Sequence, residues 1–274
     1  MNELLNNPAF QSGIAPFVIA LIALIILRPL GWYWAGLALV IAFYSGVYLM
    51  LGFQFTPLTS TRKMFLLGMA ATAVGLLLDA LPLARRYVIT LLAVLGAASA
   101  LWLLWPFLSR KEGLDLWLGA IGALVYMAWL NVLVERNRLA QPAIYAGLFA
   151  ISIGTGLSAL LGASALLGQL GSSIGAATGA FILLSLFNKQ IPAGTSFTFP
   201  ATLLSGLIGV SGIAYARLPW HSLLMIAAIP LLLNLPLPAT LSRPKQLLVM
   251  CALTMALAIA AIGMTWQVTG APPI

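Results

Sequence analysis

Charged side chains are scarce in this sequence. They make up 7% of its 274 residues, and Asp and Glu together number only five. Soluble domains carry about 25% charged residues. Five acidic side chains are too few to cover a globular surface with polar groups, which excludes an ordinary soluble domain. Because 62% of the residues are hydrophobic, the chain is predicted to be an all-α integral membrane protein whose main partner is the lipid bilayer.

Cysteine and histidine are nearly absent. Cys251 is the only cysteine and lies in an apolar run, so no internal disulfide can form, and His221 is the only histidine. One cysteine and one histidine do not build a Zn or haem site, and we expect neither a metal nor a cofactor. The sequence also lacks an HExxH motif and a Ser/His pair at a sensible depth. Since catalysis needs positioned acids, bases or a metal, an enzyme is not expected.

Long apolar runs are what the sequence does contain. A helix crosses the bilayer core with about 20 apolar residues, and ten segments approach this length. They cover residues 13–29, 32–53, 64–82, 88–108, 116–134, 142–163, 166–187, 200–216, 221–238 and 247–268. All connections between them are short. Residues 1–274 are therefore predicted to form a single polytopic membrane domain of about ten transmembrane helices.

The longest uncharged stretch lies between Arg138 and Lys189. It holds fifty residues, 139–188, which would extend ~75 Å as a helix at about 1.5 Å per residue. That length is enough for two spans and a tight turn, which we place at Ala163–Leu167. A re-entrant loop is the alternative interpretation.

The basic residues predict an orientation. They occur singly or in pairs between apolar runs, which is typical of topology signals and not of a nucleic-acid-binding surface, so no nucleic acid partner is expected. Ten spans place both termini on one side. With the termini outside, eight basic residues lie in cytoplasmic loops and five in outer loops. The cytoplasmic ones are Arg28, Arg85, Arg86, Arg136, Arg138, Lys189, Arg243 and Lys245, and the outer ones are Arg62, Lys63, Arg110, Lys111 and Arg217. The positive-inside rule then predicts that the termini lie outside, and we expect a bacterial inner-membrane protein with periplasmic termini.

Short matches suggest an internal repeat. The segment NPAFQSG at 7–13 aligns with QPAIYAG at 141–147, TPLTST at 56–61 with IPAGTS at 191–196, and SRK at 109–111 with SRPK at 242–245. Each match falls at an equivalent place in a half of five segments, giving putative repeats 1–138 and 139–274. Because five is odd, the second half would insert upside down, as in many transporters that work by alternating access. Chance matching in a low-diversity sequence is the alternative.

This layout resembles the drug/metabolite transporter superfamily. That family is described by ten short helices, two inverted five-helix repeats, tight loops and a similar length. The resemblance covers the whole chain but rests on no motif, and no residue is assigned from it. It implies a solute path near the middle, between the two halves.

Small residues recur every fourth position in the sixth and seventh segments. Gly171, Gly175 and Gly179 follow this spacing, and so do the preceding residues Gly154, Ser158 and Gly162. Close backbone packing stabilises helix pairs in lipid, so the two sets predict a tight antiparallel hairpin. A sliding surface, backbone exposed to a solute, and an interface for self-association are the alternatives. The interleaved polar residues Gln169, Ser172, Ser173 and Thr178 are candidates to line a path.

Two acidic residues lie close enough to the membrane to be functional candidates. Asp79 ends the third segment, and Glu135 follows the fifth, on one helical face with Asn131 and Arg138. In the predicted topology both positions are cytoplasmic, so a cluster with Arg85, Arg86, Arg136 and Arg138 is expected. An ion-pair network that fixes topology is one interpretation, and a proton or cation relay at a cytoplasmic gate is the other.

The ninth segment is irregular. Pro230 lies near its middle and removes one backbone hydrogen bond, which frees the Ile226 carbonyl. Asn234, one turn later, is a candidate to satisfy a carbonyl or to contact a solute. A packed kink and a discontinuous helix at a binding site are both consistent with this pattern.

These features favour a membrane transporter. Asp79, Asn131, Gln169, Ser172, Thr178 and Asn234 are the candidate path residues. The paucity of buried charge argues against a multiply charged substrate, so a small neutral or weakly polar solute is expected. The alternative is a non-catalytic accessory subunit of a larger membrane complex, whose apolar helices and glycine ridges would contact other membrane subunits.

Overall fold

The computed structural model describes residues 6–53, 55–140, 143–187, 193–238 and 240–270, without the side chains of Trp32 and Tyr33. In these residues the structure is helical and contains no strand. The ten helices are α1 (Phe10–Leu30), α2 (Leu37–Leu51), α3 (Ser60–Ala80), α4 (Arg85–Leu108), α5 (Gly113–Arg136), α6 (Ala143–Leu161), α7 (Ala165–Leu186), α8 (Thr195–Tyr215), α9 (Trp220–Leu232) and α10 (Arg243–Thr269).

Each predicted segment corresponds to one helix. Eight helices are long and apolar enough to cross a membrane, whereas α2 and α9 have only 15 and 13 residues. A helical turn, Trp32–Ala35, precedes α2, and Gly36 between them keeps helical dihedral angles (φ −60°, ψ −30°). The all-helical integral membrane architecture agrees with the prediction.

Local sequence signals explain several helix ends. The Thr59 hydroxyl accepts a hydrogen bond from the Arg62 backbone N–H and begins α3, and Ser164 does the same for the Leu167 N–H at the start of α7. The turn between α6 and α7 falls at residues 162–164, which overlaps the predicted turn at Ala163–Leu167 but ends three residues earlier, and Ala163 adopts a positive φ of 78° there. The uncharged stretch therefore forms two helices and a tight turn.

Helix α8 occupies the centre of the bundle. Every residue from Thr195 to Gly212 is buried. It packs against α3, α5, α6, α4 and α7. Around this core, α6 packs extensively on α7 and α10, α4 on α5, and α1 on α2. The polar groups of α8 between Thr195 and Gly212 are consequently shielded from lipid by other helices.

The α6–α7 hairpin is tight, but its close contact is not the predicted one. A Cβ added to Gly171 would lie 2.4 Å from the Cα of Gly156, and one added to Gly175 would lie 2.4 Å from a side-chain carbon of Ile153. Gly154 instead faces Ala258 of α10, and Gly162 lies against the Ala216 carbonyl. The predicted ridge of Gly154, Ser158 and Gly162 is thus not the surface that meets α7, because α6 also packs against α8 and α10.

Candidate functional site

Asp79 connects the end of α3 to the start of α8. Its carboxylate oxygens accept hydrogen bonds from the backbone N–H groups of Thr195 and Ser196, each at 2.8 Å, and its side chain is completely buried. The first N–H groups of a helix have no partner inside the helix and carry partial positive charge. A carboxylate at this position therefore satisfies two backbone donors that the core would otherwise leave unpaired.

Two glycines let the start of α8 approach its neighbours. A Cβ on Gly75 of α3 would lie 2.7 Å from the Ser196 Cα, and a Cβ on Gly36 would lie 2.7 Å from the Phe197 backbone nitrogen. Real Cβ atoms do not come this close to backbone, so any side chain at either position would push α8 away. These glycines allow the Asp79 carboxylate to reach the helix end.

Glu135 and Arg138 complete the ion cluster, which we define as Asp79, Glu135 and Arg138. One Arg138 guanidinium nitrogen lies 3.3 Å from Asp79 Oδ1 and 3.2 Å from Glu135 Oε1. Glu135 is 1% exposed, and its oxygens accept hydrogen bonds from the hydroxyls of Thr195 (3.3 Å) and Thr198 (3.1 Å). Two buried carboxylates thus share one guanidinium and Thr195, and Glu135 also accepts from Thr198.

Arg85 contributes to the same end of the bundle through backbone groups. Its guanidinium donates to the carbonyls of Glu135, at 3.2 Å, and of Arg136. These carbonyls are at the C-terminal end of α5, where a cation is favourable. The side chains of Arg86 and Arg136 are exposed, and Arg86 lies 4.8 Å from the centre of the Tyr87 ring. The structure therefore brings Asp79, Glu135, Arg138 and Arg85 together and leaves the other two arginines outside.

Asn131 has a packing contact instead of a place in the ion cluster. It is 2% exposed, and its amide donates to the Met127 carbonyl at 2.8 Å. A Cβ on Gly96 of α4 would lie 2.3 Å from this amide nitrogen. Asn131 therefore fills the space that Gly96 leaves between α4 and α5.

A line of hydroxyls extends from the ion cluster along α8. This hydroxyl stripe consists of Thr195, Thr198, Thr202 and Ser205, at helical spacings i, i+3, i+7 and i+10. Ser205 Oγ lies 2.8 Å from Ser152 Oγ of α6, and Thr202 donates to the Thr198 carbonyl at 2.7 Å. Sequence reasoning missed this stripe, although the recurrence of Thr and Ser on one face was visible.

The stripe ends near a hydroxyl without a partner. Gly209 continues the same face of α8, and its Cβ position is 3.2 Å from both Tyr126 Oη and a methyl carbon of Thr155. Tyr126 Oη is buried and has no hydrogen-bond partner among the described residues. From Thr195 to Gly209 the helix rises by about 21 Å. Polar groups thus extend through much of a bilayer core of about 30 Å.

The remaining predicted path residues lie elsewhere. Gln169 and Ser172 are half-buried on α7, and Thr178 is buried and donates to the Ile174 carbonyl at 2.8 Å. Asn234 is exposed in the turn after α9. The carbonyls near Pro230 are contacted by other residues: Asn137 donates to the Pro230 carbonyl at 3.3 Å, and the Trp129 indole donates to the Ala227 carbonyl at 2.9 Å.

The site contains ion pairs and hydroxyl hydrogen bonds. Among the residues that the structure describes, no group of three His, Cys, Asp or Glu side chains is arranged to hold a metal ion.

Comparison of the chain with protein-family models and with curated protein sequences finds no match. The geometry of α8 and its neighbours is therefore the basis for any functional proposal.

Proposed function

We propose that the protein is a transporter of a small neutral or weakly polar solute in the inner membrane of a bacterium. The observation that carries this proposal is the hydroxyl stripe on the most enclosed helix, with an ion cluster at one end. Polar and ionisable groups inside a membrane are costly and usually mark a solute or ion pathway. Hydroxyls both donate and accept hydrogen bonds, so they suit uncharged polar solutes.

The hydroxyls of the stripe are suited to exchange partners. Thr202 donates to the Thr198 carbonyl of its own helix, and the Thr198 hydroxyl lies within hydrogen-bond distance of both Glu135 Oε2 and the Gly194 carbonyl that precedes the helix. A solute oxygen that replaces such a contact leaves no backbone group unpaired. A stripe of this kind solvates a passing solute at a low cost, whereas an apolar helix face does not.

Asp79 is proposed as the proton-coupling residue of a cytoplasmic gate. Its carboxylate caps α8 and pairs with Arg138. Protonation would remove the negative charge that favours the α8 N-terminus and release Arg138 toward Glu135. The gate and the coupling site are then the same contact, between α3 and α8.

An inverted repeat and periplasmic termini are part of the proposal. Three features are consistent with two five-helix halves: α1 contacts α2 as α6 contacts α7, α4 contacts α5 as α9 contacts α10, and α3 packs on α8. One equivalent pair differs between the halves: α6 packs extensively on α10, while α1 and α5 have at most marginal contact. The asymmetric placement of α8 is consistent with one conformation of an alternating-access cycle. The drug/metabolite transporter layout remains an expectation of the same kind.

An apolar groove favours the alternative function of an accessory subunit. It lies between α5 and α9, has two adjoining parts of about 320 and 450 Å³, and is lined in both by Gly122, Tyr126 and Leu224. A helix of a partner protein fits such a groove. The glycines of α6 and α7, however, contact helices of the same chain, so they no longer support a partner interface. Co-purification of a second protein at fixed stoichiometry would favour this alternative.

Uptake into liposomes tests the transporter proposal. Purified protein is reconstituted, and radiolabelled polyols, amides and short-chain carboxylates are offered with and without an inward proton gradient. We expect one of these classes to accumulate with the gradient, and Asp79→Asn to abolish the accumulation. Asp115→Asn is the matched control, since Asp115 is exposed in the first turn of α5. Rates equal to those of empty liposomes, or full accumulation by Asp79→Asn, would contradict the proposal.

A further inference from the structure

A second polar site lies at the other end of α8 from the ion cluster. It is a pocket of about 260 Å³ where the starts of α3 and α7 meet the last turns of α8. Six hydroxyl side chains line this hydroxyl pocket: Thr59, Ser60, Thr61, Ser164, Ser211 and Tyr215. Its volume is below the range of about 300–1,000 Å³ that holds drug-sized ligands. The pocket is therefore matched to a smaller molecule.

The unpaired hydroxyl of Ser211 indicates that the pocket binds a ligand. It is 2% exposed, lines the pocket, and its hydroxyl has no hydrogen-bond partner among the described residues. Buried polar groups are nearly always paired, and each exception calls for an explanation. The neighbouring hydroxyls have contacts of their own: Ser60 Oγ lies 3.3 Å from Tyr215 Oη, and Ser164 and Thr59 cap helices. A ligand oxygen in the pocket would supply the partner that Ser211 lacks.

Two helix N-termini meet at this pocket. Ser60 and Thr61 belong to the first turn of α3, and Leu166 and Leu167 to the first turn of α7. Such ends carry partial positive charge and favour a negative group. Neither first turn has an acidic residue, and that of α3 contains Arg62 and Lys63. Cations at a helix N-terminus are unfavourable, so the start of α3 would gain from a bound anion.

The rest of the lining is apolar. Met64, Leu166 and Leu167 contribute to the wall, and no lining residue is acidic. The pocket thus combines hydrogen-bond donors and two helix N-termini with a small hydrocarbon surface. We infer that it binds a short-chain aliphatic monocarboxylate, with the carboxylate at Ser211 and the two helix starts and the alkyl chain against Met64.

The role of this ligand as cargo rests on the proposed transport function, whereas its binding does not. A monocarboxylate that takes up one proton becomes a neutral carboxylic acid, with no other change in bonding. That species is the small, weakly polar solute expected to pass along the hydroxyl stripe. In this arrangement the hydroxyl pocket receives the anion, and the ion cluster, at the opposite face, controls release.

Equilibrium binding of radiolabelled butyrate to the purified, full-length protein tests the site. Carboxylates of this type are ionised at pH 7. We expect saturable binding that excess unlabelled butyrate displaces, while butyramide and 1-butanol, which have similar alkyl chains without the charge, compete at least tenfold more weakly. This ligand series requires no substitution and so does not depend on a variant that folds. Absence of saturable binding, or equal competition by butyramide, would overturn the inference.

Two serine variants locate the site. Ser211→Ala is expected to weaken butyrate binding about fivefold, the effect of one lost hydrogen bond. Ser185→Ala is the matched control, because the Ser185 hydroxyl is also buried without a partner but lies in the last turn of α7, away from the pocket. Equal affinity of Ser211→Ala and the unsubstituted protein would overturn the assignment. Butyrate binding without uptake would contradict only the transport function, and uptake of another solute without butyrate binding would contradict only this site.

Discussion

Asp79 Oδ2 accepts a hydrogen bond from the backbone N–H of Ser196 at 2.8 Å, although 117 positions separate the two residues in the chain. The contact joins the end of one membrane helix to the start of the most buried one. Arg138 pairs with Asp79 and also with Glu135, so one guanidinium contacts two buried carboxylates. The stability of this end of the bundle therefore depends strongly on a single cation.

Arg138→Met should destabilise the protein substantially. The substitution leaves Asp79 and Glu135 without their counter-ion, and loss of one partner of a buried pair costs about 3–5 kcal/mol. Arg136→Met removes the same charge from an exposed side chain two positions earlier and should cost less than about 0.5 kcal/mol. Unfolding by SDS in mixed micelles, followed by tryptophan fluorescence, measures both. Similar losses for the two variants would contradict the importance assigned to the cluster.

The coupling between Asp79 and Arg138 is open to the same measurement. Once Arg138 is replaced by Met, the Asp79 carboxylate has lost its partner, so adding Asp79→Asn should cost much less than Asp79→Asn does alone. Residues in one ion-pair network typically show interaction free energies of about 0.5–3 kcal/mol. Additive losses in the double variant would mean that the ion pair contributes nothing to folding.

Two glycines on one predicted ridge should respond differently to alanine. A Cβ at Gly171 would lie 2.4 Å from the Gly156 Cα, so the backbones of α6 and α7 would have to separate. A Cβ at Gly179 would meet rings of Phe149 and Phe17 at 3.6–3.7 Å, which is ordinary contact. Gly171→Ala should destabilise by about 1–3 kcal/mol through overpacking. Gly179→Ala should be neutral or stabilising by up to about 1 kcal/mol, because Ala favours helix. SDS unfolding would contradict this expectation if the order were reversed.

Sequence reasoning predicted the eight long helices well because a membrane span needs about 20 apolar residues whatever its neighbours are, but it made α2 and α9 longer than their 15 and 13 residues. It also predicted that Asp79 and Glu135 meet, because α3 and α5 cross the membrane in the same direction and their C-terminal ends lie at one face. It did not predict the side of α6 that meets α7. Glycine spacing marks positions where two helix backbones can approach, and Gly154 and Gly156 both allow such an approach. Which of them contacts α7 depends on the packing of helices that lie far away in sequence. Nor did it predict the cap on α8, because backbone N–H donors are common to nearly all residues.

The hydroxyl stripe should be required for uptake more than for folding. Thr202 donates only to the Thr198 carbonyl in the structure, so the nearly isosteric change Thr202→Val should alter the free energy of unfolding by less than about 1 kcal/mol but lower the rate of solute uptake. Thr254→Val is the control, because Thr254 is buried between α10 and α6, off the stripe, and donates to Met250 and Ala146 carbonyls. Unchanged uptake by a folded Thr202→Val protein would remove the stripe from the path.

The orientation in the membrane decides which compartment each polar site faces. The α3–α4 turn lies at the same end of the bundle as the ion cluster, and the α4–α5 turn lies at the end of the hydroxyl pocket. Leu83 and Glu112 are exposed in these two turns. With Cys251 replaced by Ala, single cysteines at the two positions can be labelled in intact cells with a membrane-impermeant maleimide. The positive-inside bias predicts rapid labelling of Glu112→Cys and labelling of Leu83→Cys only after the membrane is permeabilised. The reverse pattern would place the hydroxyl pocket in the cytoplasm, and a carboxylate would then load from inside, which would turn the proposed direction of proton-coupled uptake into export.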